Sequence, residues 1–499
     1  MPPQPPSSFK RIMTIILTRH GSRSPMYYYP NAYKNTHKDS EDSNLFDINK
    51  WNCSFEIAHL SKIGPIRKRF DPKLIEYPPS CTTGQLTKEG FDQHYRLGIT
   101  IRKYLDNRQN SIFGNYIDRN DVYLRTTAIE RAYKSAVSFM QGFAPPGFPD
   151  ELLEIISGSD SYDMLRPNKR QCVEMAEMYN NFSKTEEFRT QLINGYEVMR
   201  DVFNYLQINI RDPKSRLKEN ESKAITKSKN KTQKHERNDE ISDKNTNSIA
   251  RSGLKLLSYD SNIIERPKIA MKNKTRSSKH SDIDSSATDN PKSTKKAINT
   301  HNKQIDLNGH LTDHLSDSDD DTTYYQNLHE AEKGACDYVI TNDCFETSNF
   351  VFSNVSLEKR AEIVKHCERF IVDSSTPMRI VSFSQSFRAF FKLIDDRLSL
   401  NNRYKMALFS AHDSSVTEML SALGQKVLEN PPYASFVISE VLQKGSQFYV
   451  RFSFNGDVLA VPGEIAGEEI GLGTGIYSFH KFRMNFQPLI DHCHDFDEF

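Results

Sequence analysis

Ile12-Met13-Thr14-Ile15-Ile16-Leu17-Thr18-Arg19-His20-Gly21-Ser22-Arg23-Ser24-Pro25 is the stretch on which the reading of this chain turns. Its first half, Ile12 to Leu17, is a short apolar run rich in isoleucine, the pattern of a buried strand. Gly21 permits a tight backbone at the strand's exit, and Pro25 bars the ladder from continuing. Just there the chain presents Arg19, His20 and Arg23. An imidazole between two guanidiniums fills a core poorly. It is well suited to hold a phosphate dianion against a nucleophilic nitrogen, because forked guanidinium donors match phosphate oxygens. A bare Arg-His-Gly occurs by chance on basic surface turns. The longer Arg-His-Gly-x-Arg-x-Pro fixes five residue types and carries the reading.

Two further strand ends follow the same plan. Asp121 to Leu124 reads as a short strand with Arg125 at its end, and a helix from Ala128 to Phe143 is closed by Pro145-Pro146-Gly147. Arg131, further along that helix, reads as a surface or supporting charge. Met406 to Ser410 is an apolar strand that runs into Ala411-His412-Asp413, then a helix from Ser415 to Leu423 ended by Gly424. Alone, His412-Asp413 is an ordinary loop pair. Behind a strand, in a chain that already carries the first motif, it becomes a candidate site. In open α/β sheets ligands gather outside the carboxyl ends of strands.

Elsewhere, Thr87 caps a helix to Leu105, with Phe91, Tyr95, Gly98, Ile101 and Leu105 on one face. Helices are also expected over Lys184 to Asn204 and Leu357 to Ile371. Phe436 to Val441 and Phe448 to Phe454 alternate around Lys444-Gly445-Ser446 as a hairpin, and Asn455-Gly456 marks another turn. Met26 to Ser80 reads as a long loop overhanging the first strand end, with the lone Trp51 packing on the core.

The 499 residues are 37% hydrophobic with a mean hydropathy of −0.65, too polar for a uniformly globular chain. The surplus polarity lies in 211–334, dense in Lys, Asn, Ser and Asp and ending near the acidic run Asp317 to Asp321. Such a segment buries too little apolar surface to offset ordering entropy. It reads as a disordered insertion, either a tolerated loop expansion or a tether with phosphorylation sites such as Ser316 and Ser318. Order is expected to resume near Tyr338. A net charge of +1 points to neither nucleic-acid nor membrane partners. No apolar run approaches the roughly 20 residues of a membrane span. Met1 to Lys10 has no apolar h-region, so no signal peptide is visible. None of the seven cysteines forms Cys-x-x-Cys, so no zinc site is expected.

The first motif resembles that of the histidine phosphatase superfamily, in its acid-phosphatase branch. Gly84-Gln85-Leu86-Thr87, Leu124-Arg125-Thr126-Thr127, Ala411-His412-Asp413 and Pro431-Pro432-Tyr433-Ala434-Ser435 extend the resemblance in the right chain order. It implies an α/β fold: a phosphoglycerate-mutase-like three-layer core with a central, mostly parallel sheet, plus a smaller, mainly helical cap. The core would span 10–146 and 371–495, and the cap 147–210 and 335–370. The implied function is acid phosphatase: hydrolysis of small phosphomonoesters, best at acid pH, through a covalent phosphohistidine. His20 would be the nucleophile and Asp413 the proton donor; Arg19, Arg23, Arg125 and His412 would bind the phosphate. No metal or cofactor is called for, since arginines supply the charge. A phytase-like or lysophospholipid phosphatase of the same branch, and an inactive phosphate-binding scaffold, are the alternatives.

Departures from the branch are equally specific. A cysteine usual after Pro-Pro-Tyr-Ala-Ser is Phe436 here, and a cysteine pair expected after Val461-Pro462-Gly463 is replaced from Glu464 onward. By the resemblance only Cys172 with Cys493 survives as a disulfide; Cys81 and Cys367 are unassigned, and His94, His366, His492 and His494 read as structural or surface. The resemblance suggests a lysosomal or secreted protein and allows a homodimer, while the missing signal leaves the cytoplasm open.

Overall fold

The computed structural model describes residues 1–27, 66–70, 83–106, 111–113, 117–144, 153–158, 163–166, 172–220, 222–223, 225–226, 321–344, 355–370 and 376–492. Trp51, Cys53, Cys81, Cys493 and His494 lie outside them. Two compact units are present. One comprises Met1–Leu217 with Ile305–Phe499; the other is Lys218–Gln304, whose described residues, 218–220, 222–223 and 225–226, are helical.

The first unit opens with β1 (Lys10–Arg19), two residues longer at each end than the apolar run. Then come β2 (Ile66–Phe70) and α1 (Lys88–Leu105), whose N-cap Thr87 accepts the Gly90 N–H. β3 (Val122–Thr126) leads to α2 (Glu130–Phe143) and β4 (Leu153–Ser157). Three helices follow: α3 (Val173–Phe182), α4 (Glu186–Leu206) and α5 (Asp321–Cys344). After α6 (Leu357–Phe370) and α7 (Thr376–Leu398) come β5 (Met406–Ala411) and α8 (Asp413–Ala422). The chain closes through β6 (Phe436–Lys444), β7 (Gln447–Phe454), β8 (Asp457–Val458), α9 (Gly463–Ala466), β9 (Ile476–Ser478) and α10 (Phe479–Ile490).

The strands order as β2-β4-β3-β5-β1-β6-β7-β8, with β9 on β7. β4, β3, β5 and β1 are mutually parallel; β2 and β6 onward are antiparallel. Alternation sorts the central strands onto two faces. Met13, Ile15, Leu17, Ala407 and Phe409 pack beneath α7, α8 and α10. Ile16, Leu124, Met406 and Leu408 pack beneath α1 and α2. This is the expected three-layer α/β arrangement. A separate apolar cluster joins α4, α5 and α6 through Phe188, Met199, Leu328 and Ile363.

Two expectations are corrected. The stretch from Met26 to Ser80 is not wholly loop, since Ile66–Phe70 pairs antiparallel with β4. Residues 321–334, read as part of a disordered insertion, are helical instead, since α5 begins at Asp321. Tyr324, Tyr325, Leu328, Ala331 and Ala335 recur at helical spacing and are buried, and the acidic residues before them suit a helix N-terminus. At the other boundary residues 213–217 are helical, with Arg216 buried and 4.5 Å from the Tyr324 ring. The rest of that stretch, 227–320, lies outside the described residues. Cys336 is bonded to Cys367, joining α5 to α6, a pairing not foreseen. Cys172 is in a disulfide, and its expected partner Cys493 lies outside the described residues.

Gly21 is required by crowding and not by an unusual backbone angle: a Cβ there would lie 2.2 Å from the Gly90 carbonyl oxygen, and one on Gly90 would lie 2.1 Å from that of Ser22. Gly21→Ala should therefore destabilise the protein by about 1–3 kcal/mol through overpacking. Urea denaturation checks this; an unchanged midpoint would mean that the loop and α1 are not in backbone contact.

Candidate active site

The ends of β1 and β5 are laced together. Arg19 lies opposite Ala411, and the His20 N–H donates to the Ala411 carbonyl at 3.0 Å. His20 and His412 therefore emerge side by side, with ring centroids 5.5 Å apart. His412 ends the strand connection as the N-cap of α8, so Asp413 is that helix's first residue, where a carboxylate suits the positive end of the helix.

His20 is buried, and its tautomer follows from its partner. Nδ1 lies 2.8 Å from the Gly21 carbonyl, which can only accept, so Nδ1 carries the hydrogen. Nε2 keeps its lone pair and accepts from the Arg131 Nε–H at 3.0 Å. Burial, then Arg131 and His412, hold the imidazole well below its ordinary pKa of 6.5. His412 is lowered likewise, first by burial and then by Arg131, with Asp413 pulling the other way. Its Nε2 is 3.0 Å from the Thr127 hydroxyl.

Arg19 is fixed on three sides. Its Nη1 donates to the Pro431 carbonyl, its Nη2 is 3.0 Å from Asp413 Oδ2, and the Tyr433 ring covers its guanidinium at 4.1 Å. Burial alone would raise the Asp413 carboxyl, but Arg19, His412 and Arg23 outweigh it and lower it to about 2. Arg23 pairs with Asp337 of α5, which also accepts the Met26 N–H at 2.7 Å. The Nε–H groups of Arg19 and Arg23 are buried without a hydrogen-bond partner.

Five of the residues singled out in the sequence thus meet: Arg19, His20, Arg23, His412 and Asp413. Arg125 is buried inside β3 and not at its end, since the strand runs to Thr126; it is level with Phe409, and Phe409 with Leu17, two residues behind Arg19. Arg131, read from the sequence as a surface or supporting charge, is buried against His20. Burial, then Arg23, presses its guanidinium down to about 9, so it stays charged at neutral pH. Its position in the first turn of a helix that follows a site strand was the available signal. Asp337 had none, coming from a helix remote in sequence. Among the described residues no three His, Cys, Asp or Glu side chains gather as a metal site, and no helix is long and apolar enough to cross a membrane.

His94 supports the strand end from behind. Wholly buried, it donates Nε2–H to the Arg19 carbonyl at 3.0 Å, and burial lowers it to about 4 despite that bond. The unfolded chain takes up this proton first, near 6.5. Stability is thus fully present above pH 6.5 and is lost as pH falls toward 4. Across that window the loss from His94 is about 3 kcal/mol. His94→Gln keeps a donor and cannot titrate, so it should flatten the fall of stability between pH 6.5 and 4 in urea denaturation. A slope equal to wild type would show that His94 does not titrate there.

Residues 12–455 match the sequence model of the histidine phosphatase superfamily (branch 2). Over 218 residues the chain is 27% identical to Counting factor 60 of Dictyostelium discoideum, covering 40% of this chain and 49% of that one. It is 30% identical to 2-phosphoxylose phosphatase 1 of Homo sapiens over 149 residues, 28% of this chain and 29% of that one. With lysosomal acid phosphatase of Bos taurus it shares 29% over 131 residues, 26% and 21% of the two chains. The chain thus spans about half, or less, of the length of these relatives. The Hafnia alvei phytase in complex with myo-inositol hexakis sulphate is similar in fold, with a TM-score of 0.50 and 12% identity over 98% of this chain and 99% of that one. At that identity the likeness concerns the fold alone. The motif match along nearly the whole chain, carried on a sheet whose strand ends bring His20 and His412 together, makes this chain a member of the histidine phosphatase superfamily, branch 2.

Proposed function

We propose that this protein is an acid phosphatase that hydrolyses phosphomonoesters through a phosphohistidine on His20. One observation carries the reading. The Nδ1–H of His20 is committed to the Gly21 carbonyl, so the Nε2 lone pair faces a group of guanidiniums, two of which hold buried, unpartnered Nε–H donors. That arrangement calls for an anion with an electrophilic centre. Relatives named as phosphatases support the reaction class.

In the proposed sequence a phosphomonoester settles among Arg19, Arg23 and Arg131, with His412 as a further donor and Arg125 as a supporting charge beside β5. Arg131 exchanges His20 for a phosphate oxygen, which frees the lone pair. Nε2 attacks phosphorus in line, the P–O bond to the alcohol breaks, and Asp413 protonates the departing oxygen. Fixed cations stabilise the charge that develops on the equatorial oxygens. Water then attacks the phosphohistidine, gives its proton to Asp413, and phosphate leaves with His20 neutral again.

Asp413, lowered to about 2 in the free protein, must acquire the proton it donates. A phosphomonoester has its second pKa near 6, so at acid pH the substrate arrives as a monoanion. Once its oxygens engage Arg19, the cation's hold on Asp413 weakens and the proton passes from phosphate to carboxylate. Activity should therefore fall as pH rises through about 6, where the monoanion is lost. Phosphate release from glycerol phosphate, whose alkoxide needs that proton, tests this across pH; a flat profile from acid to neutral would contradict it.

His20→Ala should lose turnover by ~10³-fold or more while staying folded. Rapid quench of wild type with labelled substrate into alkali, where a phosphoramidate survives, should leave phosphate on His20. Label on any other residue would sink the assignment.

Asp413→Asn keeps shape and removes the transferable proton, at a typical cost of ~10²–10⁴-fold. The loss should be large for a sugar or glycerol phosphate, whose alkoxide leaves poorly, and clearly smaller for the phenolate burst from p-nitrophenyl phosphate. Equal losses in single turnover would show that Asp413 only positions Arg19 or His412.

A further inference from the structure

Tyr433 lies in the turn before β6, and its hydroxyl has no task in the chemistry above. Its ring sits 4.1 Å from the Arg19 guanidinium and its centroid 5.8 Å from that of His20. The hydroxyl oxygen is sealed from solvent yet has no hydrogen-bond partner, a state that costs stability. The next residue, Ala434, has φ of +56°, a left-handed conformation that residues with a Cβ rarely adopt. Its N–H is pinned to the His20 carbonyl at 3.1 Å. An unpaired buried hydroxyl and a left-handed alanine thus coincide where the chain covers Arg19 and His20. Local strain of this kind clusters where function dictates geometry.

Two other buried donors without a partner belong to the site arginines beside Tyr433. Arg19 has Nη1 on Pro431 and Nη2 on Asp413, which leaves Nε–H over; Arg23 likewise keeps a buried Nε–H without an acceptor. Tyr433 is within electrostatic reach of Arg23. A hydroxyl brings a donor without a further positive charge, an advantage where guanidiniums already crowd one another.

We infer that the Tyr433 hydroxyl donates to a non-bridging oxygen of the bound phosphate, alongside the Nε–H groups of Arg19 and Arg23. Tyr433 is then a substrate-contacting residue, and the unpaired state of these three donors in the free protein is resolved when the anion binds. This rests on the phosphomonoesterase reading given above.

Tyr433→Phe removes one oxygen and keeps the ring over Arg19. Titration calorimetry with inorganic phosphate, on wild type and variant, reads the contact without turnover. Binding should weaken about tenfold, as for one lost hydrogen bond to an ion. Thermal melting without phosphate should be unchanged or higher, because a buried unsatisfied group has been removed. A purely structural tyrosine would do the reverse, lowering the melting temperature and leaving phosphate affinity alone. Equal affinity in both proteins overturns the assignment of Tyr433 and leaves the phosphatase reading standing. Failure of wild type to bind phosphate overturns both.

Discussion

The parallel pairing of β1 with β5 is the constraint on which the rest depends. From Thr14 opposite Met406 to Arg19 opposite Ala411, each step sets the next, and the His20 N–H to Ala411 bond ends the ladder. Only this register sets His20 beside His412 and Arg19 beside Asp413. A slip by one residue would turn Ile15 and Leu17 out of one core and Ile16 out of the other. Packing on both faces of the sheet therefore protects the geometry of the site.

The far end of the same strand is secured by charge. Arg11 and Arg451 both bond the buried carboxylate of Glu440, each through Nε at 2.7 Å, and the Tyr104 hydroxyl adds a bond to Glu440 at 2.9 Å. Removing any one member would leave another buried charge poorly matched. This network ties β1, β6, β7 and α1 together, while at the other end charge is gathered for use. There, among the described residues, Arg19 pairs with Asp413 and Arg23 with Asp337, Arg131 lies against His20, and burial disfavours the charged form of two imidazoles. A gathering of buried like charges carries stability costs, as is common where activity and stability trade against each other.

A side chain of α5 reaches this site. Asp337 projects from α5 to Arg23 and the Met26 N–H, and its neighbour Cys336 is bonded to Cys367 of α6. The disulfide and the cluster of Phe188, Met199 and Leu328 brace the helix that delivers this carboxylate. The position of α5 is thus coupled to the orientation of Arg23, one of the candidate site arginines.

Local pattern was enough for much of this. The apolar run Ile12 to Leu17, the Thr87 cap and the Lys444-Gly445-Ser446 hairpin each report a period or a turn within a few residues, and each element forms close to where it was expected. The candidates His20 and Asp413 were legible because each lies within two residues of a strand end. Tertiary structure alone decided which guanidinium touches His20. Arg125 and Arg131 flank one turn, and the choice depends on how α2 leaves β3 and lies on the sheet. It alone also brought Asp337 to Arg23 and Cys336 to Cys367, and made an antiparallel edge strand of Ile66–Phe70. Those contacts join segments far apart in the chain, and no short-range periodicity encodes a partner that only the completed packing brings near.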